Sequence, residues 1–248
     1  HPRPDLEQLR EFGGFIDRLV DTLKVEARTW SWSIGDESLA DYLRRLPDDG
    51  ESWRVSMAIQ RQALMLNRQA SFSTEPDPHY GIGAPHYSRF SSPMREVVGI
   101  LTHQLALSRQ LEEPFAIDDQ LIAAVIDVSH RAKQLQKQIE RAVLKMAIDD
   151  LLADKKKTRY RATVMGLSKS RIHLQLDEPP VPLKLYLEPL QGLWGGEFRA
   201  DDDDIALSWY KDGRGTVIAS LGQAIDIDVS HYDDARSRWI LVPVMKGG

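Results

Sequence analysis

One short stretch of the chain has the residue types of an anion-binding site. In residues 71–103, a loop containing Gly81 and Gly83 leads into a predicted helix, at whose start Ser92 precedes Pro93. Serine is a favoured N-cap residue, and proline suits the first helical position because its missing N–H would be unpaired there anyway. The free backbone N–H groups and the positive end of the helix dipole then favour a negatively charged ligand.

Arg95 lies in the first turn of this predicted helix. A cation is unfavourable beside the positive end of a helix dipole, so an anion held between Arg95 and the helix start would explain its position. A guanidinium binds phosphate through two parallel hydrogen bonds and keeps its charge. The two glycines allow another backbone to approach closely. We therefore predict a phosphate site here, and the alternative is a surface ion pair between Arg95 and Glu96.

The order of residues in this stretch resembles the core signature of the ribonuclease II/R family, which are hydrolytic, processive 3′→5′ exoribonucleases. The resemblance covers most of the chain and implies an enzyme that degrades single-stranded RNA to nucleoside monophosphates. It implies that Arg95 is a catalytic residue, stabilising the charge that grows on the scissile phosphate in the transition state. The matching residues are Ser73-Thr74-Glu75-Pro76, Pro78-His79-Tyr80-Gly81-Ile82-Gly83, Tyr87, Ser92-Pro93-Met94-Arg95 and His103.

Further residues are candidates for binding the RNA chain. Histidine and tyrosine side chains beside the glycines could stack on bases or bind ribose 2′-hydroxyl groups, and the alternative is that they pack the loop. On a long predicted helix, Glu140 stands near the place where the family carries a glutamate that lines the RNA path. The predicted RNA-binding set is His79, Tyr80, Gly81, Gly83, Tyr87, Ser91, Ser92, Pro93, Lys137, Glu140 and Arg141.

The charge of the chain is distributed unevenly. The formal net charge is −5, which argues against indiscriminate binding to nucleic acid. Residues 131–171, however, contain twelve Lys or Arg residues and only four acidic ones. A local basic stripe matters more for a polyanion than the average charge does. Taken alone, the stripe could also be a solvated helix followed by a linker.

Composition excludes several classes of protein. The chain has 248 residues, 42% of them hydrophobic, which is enough to bury a core. The chain contains no cysteine, so disulfides, thiolate zinc sites and a thiol nucleophile are excluded, and a reducing cytoplasm is the expected location. No run of about 18 apolar residues predicts a membrane span. The first residues, His-Pro-Arg-Pro, lack both an initiator Met and a signal core, as expected for the inside of a longer protein.

The hydrophobic pattern changes near residue 155. Apolar spacings of three and four predict helices over residues 5–24, 52–68 and 118–153, one capped by Asp36 and one starting at Pro93. Alternation then predicts strands at 159–167, 171–176, 183–187, 205–210, 216–219, 224–230 and 238–244.

These elements predict an α+β fold. The family resemblance implies a mostly helical part of an exoribonuclease catalytic domain in residues 1–153, followed by a small OB-like β-barrel RNA-binding domain in residues 154–248.

The sequence also departs from the family pattern. Where the family usually has a basic residue, a tyrosine and an aspartate after the arginine, this chain has Glu96, Val97 and Gly99, and an expected arginine is replaced by Gln104. The family's Mg²⁺ is held by closely spaced aspartates in the first half of its catalytic domain, and no matching cluster occurs before residue 71.

We therefore expect the magnesium ligands upstream, no metal site in this chain, no nuclease activity from it alone, and a monomer. The alternatives are a non-catalytic RNA-binding relative that has lost the metal site and, less well supported, a small-molecule-binding protein. A zinc site from His79, His86 and His103 has no ordered ligand spacing in its favour.

Overall fold

The computed structural model describes residues 4–66, 71–75, 78–79, 84–91, 96–112, 117–153 and 159–244. Contacts divide the chain into two compact units. The signature unit comprises His1–Pro4 and Asn67–Met146, and the sheet unit comprises Asp5–Leu66 and Ala147–Gly248. Within the described ranges, no helix combines the length and the apolar character that crossing a membrane would require.

The elements follow one another in two blocks, helices first and strands later. The described helices are α1 Leu6–Leu23, α2 Ala27–Trp30, α3 Leu39–Arg45, α4 Ser52–Met65, α5 Val97–Leu111, α6 Asp119–Ala153 and α7 Leu187–Trp194. The described strands are β1 Arg159–Ser168, β2 Arg171–Leu176, β3 Pro182–Tyr186, β4 Glu197–Ala200, β5 Ala206–Lys211, β6 Arg214–Ser220, β7 Ala224–Asp233 and β8 Arg238–Pro243.

Five antiparallel strands form the main sheet, in the order β3-β2-β1-β7-β8. The two outer strands, β3 and β8, contact each other, so the sheet curls round on itself. Helix α7 follows β3 and buries Leu187 and Leu190 in the sheet core. A three-strand meander, a helix and two returning strands are the elements of an OB-like Greek-key fold. The predicted α+β fold class with an OB-like β domain is therefore confirmed.

The strands β4, β5 and β6 form a separate three-stranded sheet that is inserted between α7 and β7. Its first strand, β4, and the helix α7 were not predicted. The predicted strand at 183–187 ends at Tyr186, because Leu187 is the first residue of α7. The other predicted strands all form: β2 has its predicted limits, and the boundaries of the others differ by one to three residues.

The N-terminal helices pack on the main sheet. Helix α4 lies against β1, and its Val55 meets Gly222, where a Cβ atom would come within 2.8 Å of the Val55 backbone. Gly222 also has φ +73°, so both its conformation and its surroundings require glycine. Ile205 and Leu221, from the β region, belong to the same buried cluster as the helices. The N-terminal helices therefore share a buried cluster with the residues that flank β5 and β6, while the main sheet has a core cluster of its own.

Local capping explains where two of these helices start. The Asp5 side chain accepts a hydrogen bond from the Gln8 N–H while Gln8 bonds back to the Asp5 N–H, which is a complete capping box for α1. Helix α3 is capped by Ser38, whose hydroxyl accepts from the Asp41 N–H. The prediction that Asp36 caps this helix was wrong, because a second cap-forming residue follows two positions later.

The predicted division into two domains, residues 1–153 and 154–248, stays a prediction. The two compact units divide the chain differently, because residues 5–66 belong with the β region to the sheet unit, and residues 67–146 belong to the signature unit.

Candidate nucleic-acid interface

The predicted phosphate site lies mostly outside the described residues. This holds for the catalytic candidate Arg95 and for Tyr80, Gly81, Gly83, Ser92 and Pro93. Their roles, like those of the other candidate site residues, stay predictions. Helix α5 begins at Val97, and its N-cap residue Glu96 has extended backbone angles, so the predicted helix start at Pro93 with Ser92 as the cap was wrong. We refer to α5 as the signature helix, and the described neighbours show how the chain enters and leaves this region of the signature unit.

His79 and Tyr87 come together on the approach to the signature helix. Backbone hydrogen bonds join the His79 N–H to the Ala84 carbonyl at 2.8 Å and the Ala84 N–H to the His79 carbonyl at 3.3 Å. The His79 and Tyr87 rings meet edge-on, with centroids 4.8 Å apart. The tyrosine side chain is exposed, so it remains accessible to a ligand while the histidine braces it.

A second aromatic pair ties helix α5 to this segment. The rings of Phe90 and His103 stack with centroids 3.9 Å apart, and His103 Nε2 lies 2.7 Å from the Phe90 carbonyl oxygen. His103 is therefore engaged in positioning the segment that contains Ser91. Among the described residues, no three His, Asp or Glu side chains come together as a metal site would require.

Charged groups of the signature unit pair locally. Arg89 Nε lies 2.9 Å from a carboxylate oxygen of Glu96, an ion pair rather than a well-aligned hydrogen bond. Glu96, which sequence reasoning considered as a partner for Arg95, thus has a partner in Arg89. On α6, the Lys133 ammonium lies 4.1 Å from the centroid of the Phe72 ring. The predicted RNA-binding residues Lys137, Glu140 and Arg141 are exposed further along α6, and Glu140 accepts a hydrogen bond from Gln136.

A second candidate surface lies on the sheet unit, on the outer face of β2 and β3. Strand β2 buries Ile172, Leu174 and Leu176, so the alternation turns Arg171 and His173 outward. Antiparallel register places Arg171 opposite Tyr186, and His173 opposite Lys184, on β3. The same face of OB-folds binds oligonucleotides. We refer to Arg171, His173, Lys184 and Tyr186 as the outer β2–β3 face.

Two arginines flank the tyrosine of this face. The Arg238 guanidinium lies over the Tyr186 ring, 4.0 Å from its centroid, and Arg171 lies 6.0 Å from it. Glu188 binds Arg238 at 3.2 Å and Arg236 at 2.7 Å, so one cation is anchored. Arg171 is the looser of the two, which leaves an aromatic ring and a guanidinium plane as stacking surfaces for bases.

The electrostatics of the outer β2–β3 face favour an anion. Burial lowers the pKa of His173, and the charges of Arg61, Arg171 and Lys184 lower it further. An imidazole with a depressed pKa is neutral at pH 7, yet an arriving negative charge would favour its protonated form. The face can therefore hold phosphate groups next to stacked bases.

Sequence reasoning missed the outer β2–β3 face. The alternation of β2 predicted which of its residues face outward, but the β3 register was needed to bring Tyr186 and Lys184 beside them. The tryptophans of the β region have structural contacts instead. Trp194 and Trp209 contact each other at the edge of the core, and the Trp239 N–H donates to Asp149.

Four consecutive aspartates, residues 201–204, precede strand β5. The first of them, Asp201, accepts hydrogen bonds from the N–H groups of Ile205 and Ala206. Asp203 pairs with Arg18 at 2.6 Å. These contacts give two of the acidic residues structural partners in a tight turn.

Curated relatives match the chain along different lengths. Exoribonuclease 2 of Psychromonas ingrahamii is 29% identical over 122 residues, which cover 48% of this chain and 18% of the relative. Ribonuclease R 1 of Lactococcus lactis is 23% identical over 241 residues, covering 94% of this chain and 27% of the relative. The chain thus spans about a fifth to a quarter of the length of these relatives. No family model matches the chain.

Solved structures share the fold. Ribonuclease R of Mycoplasma genitalium, in complex with ribose-methylated single-stranded RNA, superposes with a TM-score of 0.73 at 18% identity, over 98% of this chain and 37% of that one. Yeast Ssd1, a pseudonuclease, gives a TM-score of 0.56 at 17% identity, over 84% of this chain and 25% of that one. The similarity to the ribonuclease II/R family that the signature residues predicted is thereby confirmed, in sequence by exoribonuclease 2 and ribonuclease R and in fold by ribonuclease R.

Proposed function

We propose that this chain is the RNA-positioning part of a hydrolytic, processive 3′→5′ exoribonuclease that degrades single-stranded RNA to nucleoside monophosphates. In this proposal, Arg95 and the amides at the start of the signature helix grip the scissile phosphate. The basic side of α6 and the outer β2–β3 face hold the strand.

One observation carries the RNA-binding part of the proposal. The Tyr186 ring of the outer β2–β3 face lies within 4.0 and 6.0 Å of the guanidinium groups of Arg238 and Arg171, on the same face as Lys184 and His173. Stacking surfaces interleaved with cations are what single-stranded nucleic acid requires. The similarity to exoribonucleases supports the enzymatic part, because it extends along nearly the whole chain in the case of ribonuclease R 1.

The described residues do not fit a metal site. We therefore propose that the Mg²⁺ of the reaction is held by aspartates outside the described part of this chain. When bound, that ion would supply activation of water and charge stabilisation at the phosphate.

A non-catalytic RNA-binding protein is the second candidate function. Two observations favour it. Glu96, Val97, Gly99 and Gln104 replace residues that the family usually has after its signature arginine, and the fold is shared with a pseudonuclease, Ssd1. Such a protein would bind RNA without cleaving it.

A gel assay separates these functions. The protein as its own cell produces it is incubated with 5′-labelled poly(A), first with Mg²⁺ and then with EDTA. We expect a ladder that shortens from the 3′ end only when Mg²⁺ is present. A salt-sensitive mobility shift without degradation would establish the binding protein instead, and the absence of both would refute the two RNA functions together.

Tyr186→Ala is expected to weaken the binding of a short fluorescein-labelled oligoadenylate to this chain by about 1–3 kcal/mol, because a stacking surface is lost. Fluorescence anisotropy measures the change. Tyr210→Ala is the control, since an arginine, Arg199, likewise lies over the Tyr210 ring, 5.1 Å from its centroid, away from the outer β2–β3 face. Tyr186→Phe should bind almost normally. Equal losses in Tyr186→Ala and Tyr210→Ala would contradict a specific role for the outer β2–β3 face.

A further inference from the structure

Helix α4 directs two arginines toward the main sheet, and their surroundings differ sharply. Arg54 and Arg61 are seven residues apart, which is about two helical turns, so they share a face of the helix. Arg54 binds both oxygens of Asp177 at 2.7 Å, and its Nε donates to Glu51 at 2.6 Å. Two carboxylates therefore compensate the charge of this buried arginine.

Arg61 has no carboxylate partner among the residues that the structure describes. Its side chain is half-buried and lies over Gly166 of β1, with Nη1 3.8 Å from the position a Cβ atom would take there. Gln62 covers the same glycine. Burial lowers the pKa of Arg61, as expected for a guanidinium that is partly desolvated without compensation.

The charged groups that act on His173, the neighbour of Arg61, are all cations. The Cβ atom of His173 lies 3.8 Å from the same point above Gly166. The charges of Arg61, Arg171 and Lys184 all reach the His173 imidazole. A desolvated cation among other cations destabilises the folded protein unless an anion joins them.

We propose that Arg61, together with Lys184, Arg171 and His173, forms a subsite for one phosphate group of the bound RNA strand. The subsite rests on the proposed RNA-binding function and extends it to a helix outside the OB-like sheet. A phosphodiester would supply the missing counter-charge, and the fork of the guanidinium would fix its position. Bases could then continue toward the Arg171 and Tyr186 side of the outer β2–β3 face.

The test compares Arg61→Gln with Arg10→Gln, which removes the same charge from an exposed position on α1. The affinity of the chain for labelled oligoadenylate is measured by anisotropy at several potassium chloride concentrations. Arg61→Gln should weaken binding roughly three- to tenfold and reduce the slope of log affinity against log salt by about 0.7, the share of one phosphate contact on a single strand. Arg61→Lys should keep most of the slope, and Arg10→Gln should change neither quantity.

A second measurement checks the fold and the source of the phosphate. Thermal unfolding in buffer without multivalent anions should show Arg61→Gln at least as stable as wild type, because an uncompensated charge is removed. NMR of the His173 imidazole during titration with oligoadenylate should show a shift in wild type that Arg61→Gln lacks. A lower melting temperature for Arg61→Gln, with RNA affinity and salt slope like those of Arg10→Gln, would identify a structural arginine and overturn the subsite.

Failure of the proposed function gives a different pattern. If wild type binds no RNA, the RNA function and the RNA subsite both fall. Inorganic phosphate is then titrated alone, and a His173 shift that depends on Arg61 would identify a site for free phosphate. If wild type binds RNA but Arg61→Gln has the same affinity and salt slope as Arg10→Gln, the RNA function stands and the subsite is refuted.

Discussion

Asp177→Ala is expected to destabilise the protein by about 3 kcal/mol, because it leaves the buried Arg54 guanidinium without its main counter-charge. The Arg54 side chain is 6% exposed and Asp177 is 21% exposed. Thr163 also donates to Asp177, at 3.2 Å, so one carboxylate organises α4, β1 and the end of β2. Glu51, the remaining partner of Arg54, is 70% exposed and compensates the arginine only weakly.

The control is a pair with the same geometry in a different solvent environment. Arg159 binds both oxygens of Asp228, at 2.7 and 2.8 Å, but the two side chains are 60% and 40% exposed. Asp228→Ala should therefore cost less than about 1 kcal/mol. Urea denaturation followed by circular dichroism measures both variants. Equal losses would show that burial of the Arg54 pair does not matter for stability.

The pH dependence follows from the same contact. Its hydrogen bonds with Arg54 lower the pKa of Asp177, more than burial raises it. The stabilisation is complete above the unfolded pKa of about 3.9 and is lost as the pH falls through the depressed folded pKa. Wild type should accordingly lose stability below about pH 4 more steeply than Asp177→Ala does, since the variant has already lost this contribution.

This ion pair also shows what the sequence could not predict. Arg54 and Asp177 are 123 positions apart, and no local pattern connects a helix arginine with an aspartate at the end of a strand. Arg61 was overlooked for the same reason. By contrast, β2 was predicted at its observed limits, because Ile172, Leu174 and Leu176 alternate with polar residues over the whole strand.

The missed elements have local physical explanations. Strand β4 has only four residues, Glu197–Ala200, too few to establish a period. Helix α7 begins at Leu187, the last residue of the predicted strand, and contains Pro189, which a helix tolerates only in its first turn. The candidate residues between 79 and 103 could be predicted because they lie close together in the sequence and form one recognisable motif. The outer β2–β3 face brings together residues from two strands, and only the sheet register does that.

Arg95→Ala is expected to reduce the turnover of single-stranded RNA by about 100- to 1000-fold in the protein as its own cell produces it, if the proposed exoribonuclease activity is correct. Arg95 directly precedes Glu96, the N-cap residue of the signature helix α5, and the free amides of the first turn of that helix can bind the same phosphate. Charge on the phosphate oxygens grows in the transition state, so an arginine there stabilises the transition state more than the bound substrate. RNA affinity should fall only several-fold, because Arg95 supplies one of many phosphate contacts.

Arg89→Ala is the matched control, because Arg89 lies six residues away and already pairs with Glu96 at 2.9 Å. Its loss should leave turnover close to that of wild type. Arg95→Lys keeps the charge but not the two-pronged geometry, so it should recover part of the activity. Single-turnover cleavage of 5′-labelled poly(A) gives the chemical step, and anisotropy gives the affinity. If Arg95→Ala cleaves as fast as wild type, the arginine does not act on the scissile phosphate. If its affinity falls while the rate of the chemical step is unchanged, the arginine stabilises the ground state and the transition state equally, and its role is binding rather than catalysis.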